Sequence, residues 1–158
     1  MHRIRKYQSS DLSALQEMTV AAFDGVSIDQ GMEQIFGTIA GHDWQWRKMR
    51  HVADDASRDP DGILVLESSD GEIAGFVSTS ADSAAGVGHI ANLVVAERFR
   101  GQGCGRALVQ AALDRFRSLG LTHARIETLV QNDVSRGLYK SLGFQEIARQ
   151  IHFAIELS

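Results

Sequence analysis

"LVVAERFRGQGCGRALVQAALDRF", Leu93 to Phe116, sets three glycines at alternate positions, Gly101, Gly103 and Gly105, between an apolar run and an amphipathic one. The apolar run closes a strand that reads as "GVGHIANLVV" and ends in Leu93-Val94-Val95. The run after the glycines predicts a helix from about Gly105 to Leu119, with Leu108, Val109, Ala112, Leu113, Phe116 and Leu119 on one stripe and Gly120 as its terminator. A glycine loop between a strand and a helix start suits an anion. The first helical N–H groups lack partners and carry about half a positive charge, and glycine keeps Cβ atoms out of the way. Arg100 and Arg106 add cationic groups at either end. The loop is neither common nucleotide motif. G-x-G-x-x-G needs its third glycine one position later, and a P-loop needs G-K-[ST] where this chain has Gly105-Arg106-Ala107. On glycine spacing alone, a flexible strand-to-helix turn accounts for the loop as well as phosphate binding does.

Upstream, "HRIRKYQ" alternates Ile4 with basic residues and predicts an edge strand. "SSDLSALQEMTVAAF" has helical spacing at Leu12, Leu15, Met18 and Ala22, with Ser9 or Ser10 as N-cap and Gly25 after its end. "DQGMEQIFGTIAG" and "DWQWRKMRHVADDA" predict two more helical pieces. "GILVLES" and "EIAGFVSTS" predict a hairpin turning at Asp70-Gly71. Downstream, "THARIETLV" predicts a strand, "NDVSRGLYKSLGF" a short helix ending at Gly143, and "QEIARQIHFAIEL" a final strand or bent strand pair. This order makes an α/β domain of the α+β type with a mixed sheet.

The chain has 158 residues, 44% of them apolar and 23% charged, which is enough for one domain with its own core. No apolar run is long enough to cross a bilayer, and "MHRIRKYQSSD" carries no apolar signal core. A net charge of −4 without a basic block argues against nucleic-acid and anionic-membrane partners. One cysteine, Cys104, excludes an internal disulfide and a cysteine-based zinc site, and the cytoplasm is the expected location. His42 and His51 do not have metal-ligand spacing, and no metal site is expected. The segment holding Trp44 and Trp46 reads as a helix with one Trp in the core, or as a substrate wall. Asp24, Asp29, Asp54 and Asp55 read as a solvated acidic face, or as an attraction for a cationic substrate.

Two segments together resemble a known family. Arg100-Gly101-Gln102-Gly103-Cys104-Gly105, after the strand Leu93-Val94-Val95, is similar to the [RQ]-G-x-G-x-[GA] acyl-CoA motif of the GNAT superfamily of N-acetyltransferases. "ETLVQNDVSRGLYKSLGF" resembles the same family's C-terminal signature, through Asn132, Tyr139, Gly143 and Phe144. The resemblance is good from about residue 62 onward. It implies one acyl-CoA N-acyltransferase domain over 1–158, with 1–61 as variable substrate-side helices and 62–158 as the acetyl-CoA-binding core. The implied fold is a mixed, mostly antiparallel twisted sheet flanked by helices, with a splayed central strand pair. Acetyl-CoA is then the co-substrate. Its pyrophosphate lies on the backbone from Gly101 to Arg106, and its pantetheine arm pairs as an added strand with the free backbone of Leu93 and Val95, beside a bulge in that strand.

Transfer to an amine implies a base, an oxyanion donor and an acid. An ammonium has no lone pair, and freeing a lysine-like amine at pH 7 costs about 4–5 kcal/mol. A backbone N–H near Val95 is the candidate oxyanion donor. Tyr139 matches the family tyrosine near the CoA sulfur and is the candidate acid, against a packing role offset from a stripe of Val134, Leu138 and Leu142. Two residues compete as base. His89 stands four before Leu93, where related enzymes often carry glutamate, and Glu127 stands five before Asn132, where other members carry an acid. Asn92 is a weaker polar contact on the same strand as His89. Asn132 reads as an N-cap, with a hydrogen bond to the CoA arm implied by the resemblance. Cys104, at a helix start that would lower a thiol pKa, reads as a small half-buried side chain and not as an acyl carrier. The expected reaction is direct transfer to a primary amine of a small molecule, or of a peptide or protein. The C-terminal half also looks similar to ribosomal-protein alanine acetyltransferases, whereas the front half does not. The alternatives are a non-catalytic acyl-CoA-binding module and an unrelated nucleotide binder. Nothing in the sequence sets the oligomeric state, and a homodimer stays open.

Overall fold

The computed structural model describes residues 1–158. Five strands form one sheet in sequence order: β1 (Arg3–Lys6), β2 (Ile63–Glu67), β3 (Ile73–Asp82), β4 (Val87–Val95) and β5 (His123–Ile126). The first four pair antiparallel, and β5 joins β4 in parallel. Three helices intervene between β1 and β2: α1 (Leu12–Phe23), α2 (Ile28–Phe36) and α3 (Trp44–Arg58). α4 (Cys104–Ser118) makes the crossover from β4 to β5, and α5 (Asp133–Ser141) follows β5. The parallel pair needs such a crossover, because a tight turn joins only antiparallel strands.

Local chemistry places most boundaries. Gly71 takes a φ of 81° in the β2–β3 turn, as the Asp70-Gly71 pair predicts. Asn132 caps α5 by accepting the Ser135 amide at 3.3 Å. The start of α1 departs from expectation. Ser9–Asp11 form a single 3-10 turn, and Asp11, not a serine, holds the entry by accepting the Gln8 amide at 2.8 Å and both terminal nitrogens of Arg5 at 2.8 and 3.0 Å. That carboxylate satisfies three donors where a serine hydroxyl would satisfy one.

Each sheet face carries its own core. On the α4 face, Leu66, Ala74, Val77 and Ile90 meet Leu108, Val109, Ala112 and Phe116. On the α1–α3 face, Ile63, Val65, Phe76 and Val94 meet Leu15 and Val52. Leu108 alone, with no exposed surface, contributes about 1.5–3 kcal/mol.

The final strand predicted over Gln145–Leu157 does not form. Residues 145–158 belong to no helix or strand, and all are exposed. Their alternating apolar side chains fit a strand, but alternation alone supplies no partner edge. As a consequence β5 is the margin of the sheet, and the β4–β5 pair lies there and not at the centre.

Candidate active site

β4 positions most of the site, and a bulge decides which way its side chains point. Across β3, Asn92 faces Ser78 while Ile90 faces Thr79, so Ala91 is one residue too many. Ile90, Leu93 and Val95 therefore share the α4 face despite their odd spacing, and Asn92 and Val94 share the other. Past the bulge β4 also loses β5. Their pairing ends at Ile90 with Ile126, while β4 runs on to Val95 and residues 127–131 form no strand. A gap opens between them. The Ala96 amide bonds β3 at Ala74 O (2.9 Å), whereas Arg100 Nε reaches Val95 O from the open side at 3.3 Å. By the alternation of strand hydrogen bonding, the peptide groups of Leu93 and Val95 face the gap and those of Val94 face β3.

The glycine loop lies at one end of this gap. Gly101 and Gly103 have φ values of 73° and 80°, the left-handed region that glycine enters without strain. Gly103 stands as N-cap of α4 and offers no side chain to the helix. None of the amides from Gly101 to Arg106 donates to another backbone group, and no side chain caps them, so six consecutive N–H groups are unclaimed. They meet the first requirement for holding a diphosphate. Gln102 is held by its side-chain amide donating to Arg98 O at 3.0 Å. The loop also fixes α5. A Cβ on Gly105 would come within 3.2 Å of Leu138, and an Arg106 terminal nitrogen donates to Ser141 Oγ at 2.7 Å.

α5 carries Tyr139, half-buried against the α4-face core and 5.9 Å ring to ring from Phe144. Burial raises the phenol above its ordinary pKa; the Ser135 hydroxyl pulls the other way, and the negative charge of Glu127 raises it further. The phenol therefore keeps its proton at neutral pH. The apolar stripe of α5 differs from expectation: Val134 is 85% exposed, and Tyr139 packs with Leu138 and Leu142 instead. Cys104 also departs from the simple helix-start argument. It is buried, and burial raises its thiol pKa, which keeps it protonated and unreactive.

The two base candidates meet. His89 Nε2 and Glu127 Oε1 are 2.8 Å apart, where β4 and the chain after β5 begin to part. Ile126 packs toward the α4 face, so Glu127 turns to the other, and the parallel register sets His89 opposite Arg125, two residues before Glu127 and on the same face. His89 is partly enclosed and Glu127 more open. Sequence spacing suggested either one. Their contact follows from the register of a parallel pair, which spacing does not supply.

Next along the same face, Asp55 of α3 accepts from Asn92 Nδ2 at 2.7 Å and from Ser78 Oγ at 3.0 Å. Asp55 and Asn92 thus gain a contact that their positions in sequence, 37 residues apart, did not announce. Trp44 is in the core, while Trp46 is exposed and stacks on His42 with ring centroids 3.5 Å apart. A pocket of about 310 Å³ lies beside the loop, lined by Met18, Ala21 and Ala22 of α1 and by Val95, Ala96, Glu97 and Arg100. The His, Cys, Asp and Glu side chains form no group of three that could hold a metal ion. No helix is long and apolar enough to cross a membrane.

Residues 29–144 match the model of the acetyltransferase (GNAT) family. The chain belongs to that family. It is an acetyltransferase with acetyl-CoA as co-substrate. A comparison with curated proteins finds no match. Among solved structures, the chain is similar to the ribosomal-protein-S18-alanine N-acetyltransferase of Escherichia coli, with 21% identity, a TM-score of 0.66, and coverage of 94% of this chain and 80% of that one. It is also similar to the PaiA N-acetyltransferase of Thermoplasma acidophilum, solved in complex with coenzyme A, with 19% identity, a TM-score of 0.72 and coverage of 92% and 90%. The ribosomal-protein-alanine N-acetyltransferase of Brucella melitensis gives 23% identity, a TM-score of 0.67 and coverage of 92% and 86%. At these identities the likeness is one of fold.

Proposed function

We propose that this GNAT enzyme transfers acetyl directly to a primary amine, with His89 as general base, Glu127 orienting it and Tyr139 as general acid. The observation that carries the reading is the 2.8 Å contact between His89 and Glu127 at the mouth of the β4–β5 gap. Imidazole is the side chain that gains and loses a proton between pH 5 and 8, and a carboxylate on one ring nitrogen fixes the tautomer and steadies the imidazolium.

Acetyl-CoA supplies an activated acyl carbon. The amides of Gly101 through Arg106, including those of Gln102, Gly103, Cys104 and Gly105, would hold its diphosphate, helped by the Arg100 and Arg106 side chains. Leu93, Val94 and Val95 would present the strand edge to its arm, and Asn132 would add a polar contact from the start of α5. His89 takes a proton from the acceptor amine, whose nitrogen attacks the thioester carbonyl carbon. The C–N bond forms first and gives a tetrahedral oxyanion near the free peptide group of Val95. The C–S bond then breaks, Tyr139 gives its proton to the departing sulfur, and solvent returns a proton to Tyr139 as His89 releases its own. The raised phenol pKa supports this role, because the proton is present at neutral pH.

The acceptor is a primary amine borne by a small molecule or by a peptide. Carboxylates at Asp55 and Glu127 on the α1–α3 side of the sheet favour a cationic acceptor, and the pocket beside α1 offers it an apolar wall. The ribosomal-protein alanine acetyltransferases among the similar structures make an N-terminal peptide amine one arm of the test. The cytoplasm, where acetyl-CoA and reduced thiols coexist, is the proposed place of action, and the whole of 1–158 acts as one catalytic domain.

Thiol release from acetyl-CoA over a panel of small amines and N-terminal peptides identifies the acceptor. With both substrates varied, double-reciprocal lines should intersect. Parallel lines would indicate an acyl-enzyme and sink direct transfer. Tyr139→Phe should lower kcat by about 10–100-fold, and an unchanged rate removes it as the acid.

A further inference from the structure

Ala91 is the extra residue of the β4 bulge, and nothing local holds the bulge there. Its side chain is a single methyl, and its φ lies outside the left-handed region that would mark a fixed turn. The residues that border it, however, are tied from outside the sheet. Ser78 and Asn92 are the last pair before the extra residue. Both are buried, with 2% and 7% exposure, and both donate to one oxygen of Asp55 on α3. Ser78 Oγ reaches Asp55 Oδ2 at 3.0 Å, and Asn92 Nδ2 reaches the same oxygen at 2.7 Å. Asn92 Nδ2 also donates to Ser78 Oγ at 3.1 Å. The three groups close a ring in which every proton has one place. The single hydroxyl proton goes to the carboxylate, so the hydroxyl oxygen is left to accept from the amide. Arg58, one turn further along α3, holds the other carboxylate oxygen. Asp55 is itself only 12% exposed.

We propose that Asp55 is a positioning residue for acetyl-CoA: by holding Ser78 and Asn92 it fixes the bulge at Ala91, and so keeps the peptide groups of Leu93 and Val95 turned to the gap. The role rests on the proposed seating of the CoA arm along that edge. The Ala96 amide bonds Ala74 O, so by alternation the Asn92 and Val94 amides face β3 and those of Leu93 and Val95 do not. Were the bulge to form two residues later, Leu93 would become the extra residue, and its peptide group would leave the row that faces the gap. Asn92 would then lie opposite Val77, which belongs to the apolar α4-face core. Its amide would lose both acceptors, which is costly away from water. Asp55 thus makes one of two otherwise comparable placements the stable one, from a helix that need not touch the carrier.

Calorimetry with CoA reads this clamp without involving the acceptor amine. Asp55→Ala removes the acceptor of two buried donors and should raise the Kd of CoA about 10-fold. Asp55→Asn is the conservative variant. Its side-chain oxygen can stand where Asp55 Oδ2 stands and accept both bonds, so its Kd should stay within about threefold of the unaltered chain. An equal loss in both variants would assign the effect to charge and overturn the clamp. Asn92→Ala gives the same reading from β4 should Asp55→Ala not fold, and an unchanged Kd there overturns the proposal. Amide exchange in the free protein separates the clamp from the seating of the arm. Protection of the Asn92 and Val94 amides should fall in Asp55→Ala and hold in Asp55→Asn. Unchanged protection with unchanged affinity overturns the clamp. Lost protection with unchanged affinity overturns the seating of the arm, and with it any role of Asp55 in binding.

Discussion

On the α4 face of the sheet, Leu66, Val77, Ile90, Leu108 and Phe116 interlock without a charged group among them. On the α1–α3 face the same strands carry an apolar centre flanked by polar groups: Arg5 with Asp11 near β1, Asp55 with Ser78 and Asn92 in the middle, and His89 with Glu127 just before the bulge. The dry face gives a rigid backing that holds the glycine loop and α5 in place. The polar face spends stability on side chains that can bind or move a proton. β4 serves both, and the extra residue at Ala91 lets one strand change which face its odd positions supply. The apolar backing and the proposed base are thereby separated by one sheet thickness, and Tyr139 approaches from the α4 side.

That separation predicts different consequences for damage on each face. The largest effect is expected at His89→Ala, which should lower kcat/KM by about 10²–10⁴-fold with the fold intact, and should abolish the acidic limb of the pH–rate profile. Glu127→Gln should weaken that limb less, because it leaves the imidazole in place. If Glu127→Gln loses the limb and His89→Ala keeps it, the base is Glu127.

Leu108→Ala on the dry face should cost about 2–5 kcal/mol in denaturant unfolding. The shape of its pH–rate profile should not change. A changed profile would mean that the two faces are coupled more closely than their packing indicates.

Asp11→Ala should cost about 1–3 kcal/mol, since it leaves Arg5 Nη2 and the Gln8 amide without their acceptor while Glu67 still holds Arg5 Nε. The Arg5 guanidinium holds the Asp11 carboxyl below the usual carboxylate range, mainly by direct hydrogen bonding. The native state therefore binds that proton less readily than the unfolded chain. Its stabilising effect is full above the unfolded value near pH 4, and is lost as pH falls through the depressed native value. Unfolding midpoints against pH should show an acid decline that is shallower in Asp11→Ala.

The smallest effect is expected at Asn132→Ala, about 1 kcal/mol or less, from loss of the Ser135 amide contact. A weakened affinity for CoA in calorimetry, beyond what that stability loss explains, would support the contact to the CoA arm.

The features legible in the sequence were local ones. The glycine loop and the stripe of α4 are written into spacings of two and of three to four residues, and the structure starts α4 within one residue of expectation. The Asp70-Gly71 turn depends on two adjacent residues in the same way. The His89–Glu127 contact was out of reach because it depends on a parallel register between strands that a whole helix separates. The bulge at Ala91 has no residue signature of its own, and it moves the odd positions after it to the other face. The C-terminal alternation predicts a strand that does not form, because a period of two supplies no partner edge.

In the proposed complex, the six unclaimed amides of the glycine loop would grip what is common to the acetylated carrier and the spent one. Both forms bear the same diphosphate, so the loop's share of affinity is the same before and after reaction. The spent carrier must then compete for the loop with its own replacement. Where the two forms together fill the site, turnover would follow their ratio rather than the amount of either, which would make the loop a gauge of acyl supply as well as an anchor.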